Sequence, residues 1–521
     1  MCAQAPVLGT RDLSFPPTSG ARVDGNIMDE IEVWDGTRDE QQQDDHPKEF
    51  CGLFGVYGLK NPASVIYRGL FSLQHRGQEG AGIVVADGQE VRSVKGLGLV
   101  SEVLNKKNWQ SLPGHLGIGH VRYSTTGSSR LQNVQPIIVE TADGIWTVAH
   151  NGNLVNAAHL RRMYQDAGAI FQTSTDSEIL VHLLADPMYR RRPQRVARAL
   201  GELKGAYCFL IMTKDCMMAA RDPMGFRPLS VGKLGDAWVV ASETCALKQT
   251  GATYIRDVEP GELLYFDETG MRSVPLGEGA APKLAQCIFE MVYFARPDST
   301  VFGKSVHQVR VAYGTRLAQE YPVEADMVIP IPDSGSSAAL GYSRGSGIPL
   351  DYGFIRNHYV GRTFIMPAQE DRTEGVDIKL SVLPEVVRGK RVIVVDDSIV
   401  RGTTARRRVD RLREAGATEI HMRVSCPPIA HPCFYGIDFP TKEELIGGSR
   451  DVESIRKFIG ADTLGYLSLE GLFAPFEDQK GFCSACFTGK YPIDPGGMKG
   501  KQDLEYTVPE LQFMPPATKM E

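Results

Sequence analysis

The chain contains no apolar run approaching the roughly 18 residues of a membrane-spanning helix, so no span is expected. Its N-terminus lacks the basic start and apolar core of a secretory signal, which predicts a reducing, cytoplasmic setting. It also lacks a basic surplus. The 57 Lys and Arg are outnumbered by 63 Asp and Glu, for a formal charge of −6, which argues against a nucleic-acid partner. Arg406-Arg407-Arg408 is a local basic run and reads as a solvated helix face near a phosphate site. No internal repeat is present. In a reducing compartment the ten cysteines (2, 51, 208, 216, 245, 287, 426, 433, 483 and 486) are expected as thiols, nucleophiles or metal ligands rather than disulfides.

What is present divides the 521 residues into two or three domains. Residues 1–50 are polar and acidic and cannot build a core, so they read as a disordered leader. Met28 offers an alternative start that would shorten it. From Cys51 the texture becomes strand-rich, with short apolar runs at 116–118, 147–150, 206–213 and 237–241 and a helix predicted over 176–184. The Gly/Pro/Ala-rich stretch 276–283 reads as a linker. Domains are therefore expected at 51–280 and 281–496, followed by a polar tail at 497–521. In the second, strands at 327–330, 391–395 and 419–424 alternate with helical patterns, including one over 403–415 stopped by Gly416, which predicts a βαβ parallel sheet.

The segment Val392-Ile393-Val394-Val395-Asp396-Asp397-Ser398-Ile399-Val400-Arg401-Gly402-Thr403-Thr404 is the most informative. An apolar strand ends in two carboxylates, at the edge where open α/β sheets bind ligands. A small hydroxyl-rich loop then opens a helix, which suits a phosphate. Paired carboxylates serve ribose hydroxyls or Mg²⁺. A plain buried strand ending in a turn fits the same pattern. The segment resembles the phosphoribosylpyrophosphate (PRPP) fingerprint of type I phosphoribosyltransferases. The resemblance implies that Asp396 and Asp397 meet ribose and metal, and that Ser398, Arg401, Gly402, Thr403 and Thr404 cradle the 5-phosphate.

Cys51 opens the front domain. Were the Phe50–Cys51 bond cut, the freed α-amine, with a pKa near 8, could serve as general base for the adjacent thiol; a lone Cys is otherwise a small core residue. Four clusters follow in order: His75-Arg76-Gly77-Gln78-Glu79, Gly119-His120-Val121-Arg122-Tyr123, His150-Asn151-Gly152-Asn153 and Ser174-Thr175-Asp176-Ser177-Glu178. With Cys51-Gly52-Leu53-Phe54-Gly55 they resemble the class II glutamine amidotransferases over about residues 51–275. That family implies an N-terminal nucleophile (Ntn) hydrolase αββα sandwich. It implies Cys51 as nucleophile, Asn151 and Gly152 as oxyanion hole, Arg122 on the glutamine α-carboxylate and Asp176 on its α-ammonium.

Together the halves resemble the amidophosphoribosyltransferase family: an Ntn hydrolase domain followed by an α/β type I phosphoribosyltransferase domain with a central parallel sheet. Tyr293-Phe294-Ala295-Arg296-Pro297-Asp298-Ser299 and Ile331-Pro332-Asp333-Ser334-Gly335 also match, the latter as a pyrophosphate loop with Ser334 near Mg²⁺. Arg362 and Lys379 fall in a polar stretch that resembles a mobile lid over PRPP. Cys483-Ser484-Ala485-Cys486 is open to a redox or a metal reading. With Cys287 and Cys433 it resembles the ligand set of the iron–sulfur, propeptide-bearing members; four thiolates suit Zn²⁺ or [4Fe–4S], and the resemblance favours the latter. Cys426 matches no ligand position and is expected as a buried thiol. The family implies inhibition by purine nucleotides and a homotetramer. Another glutamine-dependent synthase would lack the PRPP fingerprint, and a PRPP-sensing regulator would lack Cys51 or Arg122 and carry a basic module.

Overall fold

The structure, a computed structural model, describes residues 51–110, 112–123, 130–190, 194–277, 283–357, 380–439 and 441–496. The leader, the tail, Arg362 and Lys379 lie outside the described residues.

The front half is built on antiparallel strands: β1 Gly52–Tyr57, β2 Gly80–Ala86, β3 Val91–Leu97, β4 Leu116–Arg122, β5 Ile137–Thr141, β6 Gly144–Leu154, β7 Gly205–Met212, β8 Met217–Arg221, β9 Ser230–Leu234, β10 Ala237–Ala241, β11 Thr253–Asp257, β12 Glu262–Asp267 and β13 Gly270–Pro275. One sheet runs β11-β9-β10-β1-β4-β2-β3 and the other β13-β12-β8-β7-β6-β5. Alternation along each strand sorts side chains into layers. Leu53, Val84 and Ile118 meet Ala149, Leu210 and Leu264 between the sheets. Phe54, Ile83 and Val239 lie under the helices Ala63–Ser72 and Thr244–Thr250. Val148, Phe209 and Ile211 lie under Ala157–Asp166, Glu178–Ala185 and Arg195–Gly201. The layering is helix, sheet, sheet, helix.

The rear half carries a parallel sheet in the order Met327–Pro330, Arg391–Asp396, Glu419–Val424, Thr463–Tyr466. Val392 to Val395 are buried without interruption, as a strand covered on both faces requires. The helix Thr403–Glu414 follows the second strand and ends before Gly416, close to the predicted bounds. Both halves pack within one compact unit. Val155, Ala206 and Phe226 of the front share a small core with Ala285, Tyr435 and Cys483 of the rear.

Candidate active sites

Cys51 precedes β1 and shares the two-residue phase of Leu53, so it faces the space between the sheets. Asn151, two residues beyond Ala149 in β6, faces the same space. Cys51 is 7% exposed, and its thiol donates to Tyr123 O at 3.4 Å. Burial pushes that thiol up to about 11, only partly opposed by the Tyr123 hydrogen bond and the Arg122 charge. Asp176 and Glu79 also act on it electrostatically, so two residues predicted to bind glutamine, Arg122 and Asp176, act on this one sulfur. At neutral pH the group is a thiol and needs a base.

Asn151 is fully buried, and among the described residues neither its Oδ1 nor its Nδ2 has a hydrogen-bond partner. An orphaned buried amide is costly unless a ligand completes it. Gly152 has φ +150°, and a Cβ there would stand 2.0 Å from Ala206 O, so no side chain fits. His150, on the opposite face of β6, braces the strand. Its ring stacks on Phe209 at 4.3 Å, and its Nδ1 is 3.1 Å from Ser177 Oγ and 3.4 Å from Asp176 Oδ1. Gln135 accepts from His150 N at 2.7 Å and donates to Ser177 at 3.1 Å. Asp176 Oδ2 accepts from Leu154 N at 2.9 Å. Asp176 is thus already engaged, and a substrate ammonium would be an additional partner. Arg122 is 2% exposed, with Nη1 3.7 Å from Glu79.

The second site forms at the carboxyl end of Arg391–Asp396. Asp396 Oδ2 accepts from Arg408 Nη1 at 2.6 Å, and its Oδ1 from Asp397 N at 3.0 Å. Burial raises the Asp396 pKa, Arg408 opposes the rise, and the Asp397 charge adds to it. Asp397 takes Ser398 Oγ on one oxygen, while its buried Oδ2 has no donor among the described residues. Ser334 is half-buried in the loop before Ser336–Ser346. A Cβ on Gly335 would lie 2.4 Å from Val395 O, so glycine lets this loop close onto the strand that ends in the carboxylates. Gly402, Thr403 and Thr404 open the helix Thr403–Glu414, as predicted. Arg401 is turned to Glu444, at 2.6 Å. Of the basic run expected to be solvated, Arg406 is exposed but Arg408 is only 11% exposed and belongs to the site.

Cys287 and Cys483 are paired in register by the parallel ribbon Gln286–Cys287 and Phe482–Cys483. The Cys486 thiol feels the charges of Cys287, Cys433 and Cys483. Arg227 eases the burial penalty on Cys287, Cys433 and Cys483. Among the described residues, no group of three or more His, Cys, Asp or Glu that could hold a metal ion is found, so the expected cluster has no support there. Cys426 is buried, as expected, and all nine described cysteines are free thiols. Among the described residues no helix is long and apolar enough to cross a membrane.

Sequence reasoning missed Arg408, which lies in a run it read as solvated.

A glutamine amidotransferase domain model matches residues 120–249 and a phosphoribosyl transferase domain model matches 305–433. The amidophosphoribosyltransferase of Bacillus subtilis is 52% identical over 452 residues, covering 86% of this chain and 94% of the relative. A solved structure of glutamine PRPP amidotransferase from B. subtilis complexed with ADP and GMP superposes with TM-score 0.79 at 51% identity, over 85% of this chain and 98% of that one. Another, of the allosteric regulatory enzyme of purine biosynthesis, gives 0.80 at 51% identity, over 85% and 96%. The chain belongs to the amidophosphoribosyltransferase family.

Proposed function

We propose that Cys51 releases ammonia from glutamine and that the site at Asp396 and Asp397 fixes it onto PRPP. The products are 5-phosphoribosylamine, glutamate and pyrophosphate, and the step is the committed entry to purine synthesis. The observation that carries this reading is one chain holding a buried thiol beside an unsatisfied amide and, separately, a buried carboxylate oxygen with no donor. Residues 51–280 perform the first half and 281–496 the second.

In the first half, the Cys51 thiol attacks the glutamine side-chain carbonyl. The α-amine freed by cleavage after Phe50 takes its proton. The Asn151 amide and Gly152 N–H stabilise the developing oxyanion. Arg122 holds the substrate carboxylate in bidentate fashion and Asp176 its ammonium. Ammonia departs, leaving a thioester that water hydrolyses to glutamate. Ammonia must travel in a dry passage, because the ammonium ion has no lone pair to give.

In the second half, ammonia attacks the anomeric carbon of PRPP and pyrophosphate leaves. Asp396 and Asp397 stabilise positive charge at the sugar carbon. Ser398, Gly402, Thr403 and Thr404, with Arg401 once released from Glu444, hold the 5-phosphate; Arg362 and Lys379 are assigned to PRPP on sequence grounds. The unpartnered Asp397 Oδ2 fits a cation: Ser334, Asp396 and Asp397 would hold Mg²⁺, which when bound neutralises pyrophosphate.

Cys287, Cys433, Cys483 and Cys486 are proposed as [4Fe–4S] ligands. Nine free thiols fit a reducing cytoplasm. Purine nucleotides as inhibitors and a homotetramer complete the proposal; the B. subtilis relative with ADP and GMP supports the nucleotides.

The test is pyrophosphate release that requires both glutamine and PRPP. Pyrophosphate formed without PRPP, or none with both present, refutes the reading. Iron and sulfide analysis of anaerobically purified protein tests the cluster.

A further inference from the structure

Of three successive arginines, 406 to 408, only Arg408 turns inward. The helix Thr403–Glu414 buries Ala405, Val409 and Leu412, a stripe at helical spacing that fixes how the helix is rotated. Arg406 and Arg407 fall on the exposed side. Arg408 lies at the edge of the stripe, so its stem is covered and its guanidinium is carried to the strand end. Its side chain is 11% exposed, and that of Asp396 is 3%. Thr404, one turn earlier on the same face, belongs to the loop assigned to the 5-phosphate. Arg411, three residues later, donates to Leu380 O at 3.2 Å and ties that face to the strand Leu380–Val382.

Both Asp396 oxygens are engaged. Oδ2 takes Arg408 Nη1 at 2.6 Å, and Oδ1 takes Asp397 N at 3.0 Å. A carboxylate offers about four lone-pair directions, so these two bonds fix its plane and leave the other directions for a ligand. Because Oδ1 holds the Asp397 amide, the fixed plane also fixes the backbone from which Asp397 presents its buried Oδ2, which has no donor among the described residues. A buried ion pair is a poor stability device, since apolar side chains would pack there at no desolvation cost. The substrate gives the charge a use. A sugar bearing a monophosphate and a diphosphate is a polyanion, and two uncompensated carboxylates beside its ribose would repel it. Arg408 offsets one of the two from behind.

Resting on the PRPP reading above, we propose that Arg408 is a positioning residue for PRPP binding: it offsets the charge of Asp396 and locks that carboxylate, so that the polyanionic substrate meets one uncompensated acid, Asp397, instead of two.

The test is direct binding of PRPP, by equilibrium dialysis at saturating Mg²⁺, to the wild-type protein, Arg408→Gln and Arg408→Lys, with thermal unfolding in parallel. Gln keeps a donor for Asp396 without the charge, and Lys keeps the charge on a point donor. Arg408→Gln is expected to bind PRPP about tenfold more weakly, the scale of one unit charge several ångströms from the ligand under partial screening. Arg408→Lys is expected to recover most of that loss. The KM for PRPP in ammonia-dependent synthesis should rise in step with the Kd, with a smaller change in kcat. Unchanged affinity in folded Arg408→Gln overturns the inference. So does a folded Arg408→Lys that binds no better than Arg408→Gln. Affinity that falls in both variants only in step with the unfolding midpoint makes Arg408 a structural residue and overturns it as well. A wild type that binds no PRPP refutes the proposed function itself, whereas a wild type that binds beside an unaffected Arg408→Gln refutes the role of Arg408 alone.

Discussion

Arg408 Nη1 lies 2.6 Å from Asp396 Oδ2, although Asp397 next door has a buried oxygen with no donor. Adjacent carboxylates in one fingerprint thus have different electrostatic situations. Asp396 is neutralised from within by a helix twelve residues on, and Asp397 is left open to a ligand.

Asp397→Asn should therefore weaken use of PRPP. Losing a charged hydrogen bond or metal contact costs about 2 kcal/mol, roughly thirtyfold in kcat/KM for PRPP. Glutaminase activity measured without PRPP should persist. Steady-state kinetics at varied PRPP and Mg²⁺ check this, and an unaltered PRPP dependence would contradict the assignment.

Cys51→Ala should abolish glutamine-dependent synthesis and keep synthesis from added ammonia, because the nucleophile serves only the first half-reaction. Parallel assays with the two nitrogen sources decide it. N-terminal sequencing of active enzyme should begin at Cys51; full glutaminase turnover with the leader attached would sink the α-amine as base.

Asn151→Ala should lower the glutaminase kcat by about 100- to 1,000-fold, the usual cost of one oxyanion-hole donor. Because Asn151 has no partner in the described structure, unfolding midpoints should change little. A large loss of stability with little loss of rate would make it a structural residue.

His120 supplies a pH signature. It is fully buried, 3.0 Å from His150 O, and burial lowers its pKa to about 3. The unfolded chain takes up this proton near pH 6.5 and the folded chain does not. Stability should therefore fall as pH drops from about 6.5 toward 3, by up to about 1.4 kcal/mol per pH unit from this group. Denaturant midpoints at pH 7.5 and 5.5 should separate less in His120→Gln than in wild type.

The strands at 327–330 and 392–395 were legible because burial on both faces leaves an unbroken apolar run; 419–424, with His421 and Arg423 inside it, was legible from its place after the helix stopped by Gly416. The fingerprint loop was legible because strand, carboxylates and small loop residues are contiguous. Asn151 and Gly152 were found as part of a short motif, yet the motif said nothing of His150 and Gln135 behind them.

Local chemistry, then, the sequence determined: a thiol at a domain start, an Asn-Gly pair on a strand, two acids followed by a hydroxyl loop, four candidate cysteine ligands. Each is set by residues close along the chain. The tertiary structure alone decided which Arg of 406–408 turns inward, that Asp176 is already bonded, and that Arg76 meets Glu243 and Glu290 from 167 and 214 residues away. Long-range charge pairing leaves no periodicity to read, because the chain must close on itself before the partners exist.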